Sequence, residues 1–364
     1  MSKYTWDIDL LRRHRKELEI RLRKAKTKEE KEYIADCLDS YFLLFLQYES
    51  RSLTEEEFLD DSLDKNPQKG FDEIKADVLS AKFFYERRTK DLFLNIIQGI
   101  KIDFNIPQLP MSHNLIEVDS SIKYCLDFFR SLDYEMFEKI RYMYNPKNRL
   151  LHVNSGFGKV NRTCFNTQNQ KPYVHITDDK TIYSPSAFVH EGAHGIEYLF
   201  NSGHYFDANY LVEHLSEVFS IFCEFINYPF LVSVGIDEKE INALELFYFE
   251  CFIDDCGSVS KLFNMAKTGM RKIDKVVKRS DIKLEVQEEF GTTLDNFISY
   301  LVALQLRAQY LQDKDLAVYN IKRFMCWDKR DDIDAILEGI GVDLYNSVEY
   351  VNEYAKELKL KNNL

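Results

Sequence analysis

Two histidines four residues apart with a glutamate beside the first, His190-Glu191-Gly192-Ala193-His194, are the residues whose types and spacing point most directly to chemistry. They lie in SAFVHEGAHGIEYLF (186–200), an apolar stretch with helical spacing. On an α-helix, positions i and i+4 share one face, so both imidazoles project the same way. Two neutral His nitrogens so placed can grip one Zn²⁺, and the adjacent carboxylate can reach a water on that metal. Zinc lowers the pKa of such a water towards neutrality, and the carboxylate accepts its proton as the water attacks a carbonyl. The alternative is a helix that carries two His and a Glu by coincidence. Against it, Ala187, Phe188, Val189, Ile196 and Leu199 predict a buried helix. Two His buried on one face need a partner.

A catalytic zinc uses three protein ligands and keeps a fourth position open. The next candidates are in YLVEHLSEVFSIFCEFI (210–226), where the spacing predicts a helix with Glu213, Glu217 and Glu224 on one stripe. Leu211, Leu215, Val218, Phe219, Ile221, Phe222 and Phe225 make that helix apolar on nearly every side. Carboxylates in such surroundings are expected to be paired, protonated or on a metal. His214 projects away from the stripe. Spacing leaves both Glu213 and Glu217 open as the third ligand.

The elements that must position these residues are mostly helical. The chain has 364 residues, 45% of them hydrophobic, which is enough for a large core. Its formal net charge of −12 with no long basic run argues against nucleic acid as a partner. The charged N-terminal stretch MSKYTWDIDLLRRHRKELEI offers no signal-peptide core, and no apolar run reaches membrane-spanning length, so a cytoplasmic protein without a membrane partner is expected. The odd number of cysteines, 7, without a CxxC pair, reads as reduced and mostly buried thiols.

Residues 1–103 read as a helical support or lid region, with a turn near 65–70 and a last helix ending at Gly99. Pro107 and Pro110 rule out a continuous helix, and 104–364 follow as the catalytic domain. DSSIKYCLDFFRSLDYEMFEKIRYMY (119–144) reads as one or two amphipathic helices. The LLHV run and the alternation in KPYVHIT (171–177) predict a small sheet just before the metal helix. KPYVHIT is expected as its edge strand, pairing with an extended peptide through its backbone, with Tyr173 and His175 as substrate-binding residues. Beyond Phe200 the pattern is helical, with breaks expected at Pro229, near Gly257, near Gly291 and at 340–343.

On these residues the chain resembles the zinc peptidases of the oligoendopeptidase F and thimet oligopeptidase family. In that family a Gly-Lys segment and a Pro-Tyr strand precede the metal helix, as Gly158-Lys159 and Pro172-Tyr173 do here. LSEVFSIFCE (215–224) resembles the family's third-ligand helix, and IDAILEGIGVDLYNSVEYVNEYAKEL (333–358) its closing segment. The resemblance implies a mainly α, zincin-like fold with a small β-sheet beside the HExxH helix. It further implies one Zn²⁺ held by His190, His194 and Glu217, with Glu191 as general base. Glu224 would orient a metal-bound His, and Tyr300 on a late segment would donate to the oxyanion. The implied substrates are short unstructured peptides. Three features depart from the family: Gly192-Ala193 inverts its usual residue sizes, Glu197 stands where a third His is common, and no His follows His214.

The expected function is zinc-dependent endopeptidase. One alternative, motivated by the missing late His, is a zinc-bound peptide-binding protein with little turnover. Another is a thermolysin-like or aminopeptidase-like enzyme with Glu213 as third ligand. A helical interaction scaffold in which HExxH is coincidental is a further alternative.

Overall fold

A computed structural model of the chain describes residue 24 and residues 92–102, 104, 116–154, 161–166, 171–178, 180–200, 215–268, 284–326 and 333–364. The chain divides into two compact units, residues 1–67 with 115–203 and residues 68–114 with 204–364. The described residues are mostly helical, with one three-stranded sheet. Most of the expected N-terminal helical region, the turn near 65–70 and the Pro107–Pro110 boundary lie outside the described residues.

In the first unit, the 119–144 stretch forms two helices, α1 (Val118–Leu132) and α2 (Tyr134–Met143). Asp133 separates them. Its extended backbone ends α1, and its carboxylate accepts from the Glu135 and Met136 amides to start α2. Strands β1 (Leu151–Asn154), β2 (Arg162–Asn166) and β3 (Lys171–Thr177) follow, then helix α3 (Tyr183–Phe200). Strand order is β1-β3-β2, with β3 parallel to β1 and antiparallel to β2. β3 is therefore the central strand, which corrects its expected edge position. Both of its hydrogen-bonding edges are used, and only β1 and β2 have outer edges among the described residues. Strand alternation sends Val174 and Ile176 into the core, where α3 packs on the sheet.

The second unit contains α4 (Leu92–Gly99), α5 (Val218–Ser233), α6 (Glu238–Thr268), α7 (Leu284–Gln312), α8 (Lys314–Met325), α9 (Ile333–Gly339) and α10 (Ser347–Lys361). Helix α4 ends at Gly99 as the sequence predicts. The Asn352 amide of α10 donates to the Gly99 carbonyl and accepts from the Lys101 amide. α5 packs on the long α7, and the break at 340–343 is present: Gln305 of α7 binds both backbone groups of Asp343. Three expected breaks are absent. Pro229, Gly257 and Gly291 all lie inside helices, α5, α6 and α7 respectively. A helical glycine costs only about 1 kcal/mol, which long packed helices absorb. Pro229 itself is exposed on α5, so its ring displaces no packed neighbour there. No described helix is long and apolar enough to cross a membrane.

Candidate metal centre

Helix α3 carries the HExxH residues, and its construction explains their packing. Ser184 ties the first turn to Asp178, and the Thr181 hydroxyl accepts from the Tyr183 amide. Ala187, Phe188, Val189, Ala193 and Ile196 are buried, leaving His190 and His194 half-exposed on one face. The helix lies against α1, α2 and the sheet, and its glycines set how closely. A Cβ at Gly192 would come within 2.8 Å of Ile140 Cδ1 and 3.0 Å of the Tyr144 hydroxyl. A Cβ at Gly195 would lie 2.5 Å from Met143 Sδ. The inverted Gly192-Ala193 order thus has a local reason: the first of the two positions faces the close approach of α2.

Beneath the motif, the Tyr144 hydroxyl donates to the Phe188 carbonyl at 2.6 Å, and the Cys125 thiol donates to the same oxygen at 3.3 Å. Burial, helped by the neighbouring Cys125 and Glu191, holds the Tyr144 phenol well above its ordinary pKa. Burial likewise pushes the Cys125 thiol up, against a weaker opposing effect of its bond to Tyr144. Both groups therefore stay protonated and act as neutral donors.

The His190 and His194 Nε2 atoms are 3.2 Å apart, with ring planes at 75°. Two nitrogens each about 2.05 Å from a tetrahedral zinc would sit roughly 3.3 Å apart, so the pair has the spacing one ion requires. Two imidazoles so spaced are donors that suit zinc, and one carboxylate ligand would complete such a set. The fit is good.

Glu217 does not lie within a helix, as its expected stripe requires. α5 starts at Val218, and Glu217 occupies the N-cap position after a turn that includes Leu215. Its carboxylate accepts from the Ser220 hydroxyl at 3.0 Å. Glu213 and His214 lie outside the described residues. Glu224 is buried on α5, close enough to Tyr228 and Tyr300 to add to the upward push that burial gives both phenols.

Glu191 is 5% exposed. Its carboxylate and its backbone carbonyl both meet the Thr163 hydroxyl, each at 2.8 Å. Thr163 was not singled out by sequence reasoning. Strand register was the missing signal: Thr163 stands opposite Val174, and Val174 faces the core under α3. The neighbouring register pair points the other way, with Arg162 opposite His175 and His152 opposite His175 on the far side. His175 is 2% exposed, and burial, then His152 and Arg162, lower its pKa to about 4. Tyr173 shares its face and is half-buried.

Tyr300 lies in the aromatic core of the second unit. Its ring stacks on Phe252 at 4.1 Å and meets Phe225 edge-on, and its buried hydroxyl has no hydrogen-bond partner among the described residues.

No family model and no curated protein sequence matches this chain. Solved structures do. A protein from Bacillus anthracis str. Ames described as an oligoendopeptidase F aligns with a TM-score of 0.50 at 11% identity, over 99% of this chain and 97% of that one. A protein from Chlamydophila abortus described as a peptidase aligns with a TM-score of 0.53 at 14% identity, over 94% of this chain and 66% of that one. The fold is oligoendopeptidase-like.

Proposed function

We propose that this protein is a zinc-dependent endopeptidase acting on short, unstructured peptides. The observation that carries the reading is the one-zinc spacing of the His190 and His194 Nε2 atoms, 3.2 Å apart, beside the buried carboxylate of Glu191. His190, His194 and Glu217 would hold one zinc per chain, and Glu224 would orient a metal-bound His. The ion, when bound, supplies Lewis acidity towards the scissile carbonyl and lowers the pKa of water. Glu191 takes the proton of the attacking water and returns it to the leaving amine. Thr163 ties strand β2 to Glu191, so an extended peptide would add along the outer edge of β2 rather than β3. Tyr173 and His175, on the opposite face of the sheet from Thr163, would bind substrate only through that face. A cytoplasmic setting is part of this proposal.

Glu191→Gln tests the chemistry. It should retain zinc, measured by metal analysis, yet lower the rate on a quenched-peptide substrate by about 10²–10⁴-fold, the usual contribution of a general base. Wild-type turnover in that variant would refute the reading. Glu217→Ala should weaken zinc far more than Glu213→Ala in a chelator competition. The reverse order would move the third ligand to Glu213.

One observation favours a second reading, a protein that holds zinc and peptide with little turnover: the Tyr300 hydroxyl is buried, and no His follows His214. Under the endopeptidase reading with Tyr300 as oxyanion donor, Tyr300→Phe lowers kcat. Under the second, peptide binds the wild-type protein but is not cut.

A further inference from the structure

We infer that Thr163 is the positioning residue for Glu191, serving that carboxylate in both of its protonation states. The inference rests on the endopeptidase reading. The Thr163 hydroxyl sits 2.8 Å from Glu191 Oε2 and 2.8 Å from the Glu191 carbonyl oxygen. A hydroxyl has one hydrogen to give and lone pairs to accept with, so it can serve only one of these oxygens as donor at a time. With Glu191 ionised, the hydroxyl donates to the carboxylate. Once Glu191 has taken the proton of the attacking water, the direction reverses. The carboxylic acid donates to Thr163, whose own hydrogen turns to the Glu191 carbonyl. No heavy atom has to move, and the proton on Glu191 stays hydrogen-bonded until it passes to the leaving amine.

The surroundings make this contact specific. Glu191 is 5% exposed, so a lost partner would not be freely replaced by water. Thr163 is fixed from the other side by pairing of β2 with β3, which sets it opposite the fully buried Val174. Its hydroxyl therefore reaches Glu191 from a strand rather than from a loop. A β-branched residue also suits that strand position, because two substituents on Cβ restrict its rotamer.

The experiment compares full-length Thr163→Val and Thr163→Ser with wild type. Val keeps the shape and removes the hydroxyl; Ser keeps the hydroxyl. Thr163→Val should lower kcat about tenfold or more at nearly unchanged KM and zinc content, from loss of a hydrogen bond to a charged group. Thr163→Ser should recover most of that rate. A second readout does not depend on turnover: urea unfolding midpoints of wild type, Thr163→Val, Glu191→Ala and the double variant. The shift caused by Thr163→Val should shrink when Glu191 is already Ala, because the two side chains are coupled. Equal loss in the Ser and Val variants, an unchanged kcat, or strictly additive midpoints would each overturn the inference. A wild-type protein that binds zinc and cuts no peptide would sink the endopeptidase reading and this role with it. A non-additive cycle would then show that the side-chain contact itself survives.

Discussion

Two helices present the candidate donors, and they are packed by opposite means. Helix α3 in the first unit is kept thin: Gly192 and Gly195 stand where any Cβ would meet Ile140 or Met143 at well under normal contact distance. Helix α5 in the second unit is kept thick. Phe219 and Phe222 are fully buried on it, and Phe222 and Phe225 meet the aromatic rings of α7 edge-on. The thin helix lets its neighbours approach the backbone, which brings the Tyr144 hydroxyl to the Phe188 carbonyl just before the His pair. The thick helix gains its hold from area, since each buried ring removes a large apolar surface from water. A histidine pair on α3 is thus positioned by backbone proximity, and Glu217 by where the side chains of α5 let that helix begin.

This contrast predicts opposite sensitivities. On α5, removing volume should do most harm: Phe222→Ala should cost about 3–5 kcal/mol of stability, the range for truncating a buried aromatic. Chemical denaturation measures it, and a loss below about 1 kcal/mol would remove α5 from the core as described. On α3, adding volume should do the harm. Gly195→Ala gains helix propensity yet must displace the buried Met143 side chain, and a net loss of about 1–2 kcal/mol is expected. In a Met143→Ala background the same Gly195→Ala change should no longer destabilise, which would confirm that the clash, not the helix, is at fault. A stabilised Gly195→Ala protein would mean that α3 is not close-packed on α2.

A pH-dependent effect belongs to the sheet under α3. The His175 pKa is lowered to about 4, by burial first and then by His152 and Arg162, from an ordinary value of 6.5. On acidification the unfolded chain therefore takes up this proton before the folded one. The contribution is fully present above about pH 6.5 and is lost as the pH falls towards 4. Unfolding midpoints between pH 7 and 4.5 should fall less steeply in His175→Gln than in wild type. Identical slopes would show that His175 protonates equally easily in both states.

Much of this arrangement was legible in the residues. The i, i+4 spacing put His190 and His194 on one face, and apolar flanks marked α3 as a buried helix, because helical period depends only on local backbone geometry. The Asp343 turn after α9 and the helix ending at Gly99 were equally local. Glu217 was singled out by the sequence around it, but its place at the N-cap of α5 was not. Helix period continues smoothly through 213–224, and where a helix starts is decided by the packing of its first turn as much as by propensity.

What only the tertiary structure decided follows from non-local pairing. KPYVHIT has the alternation of a strand whether it lies at an edge or in the middle. Its central place depends on partners from 151–154 and 162–166 arriving on both sides. Thr163 gained its contact with Glu191 through the same register, which no spacing within either segment encodes. Pro229, Gly257 and Gly291 read as breaks because local propensity disfavours them, yet long helices packed along their length ran through all three. The sequence by itself determined that His190 and His194 share one helical face with Glu191 beside the first, and the predominance of helix, all set by local backbone period. The tertiary structure alone decided which strand edge is open, where the Glu217 helix begins and what holds Glu191, because those depend on surfaces brought together from distant parts of the chain.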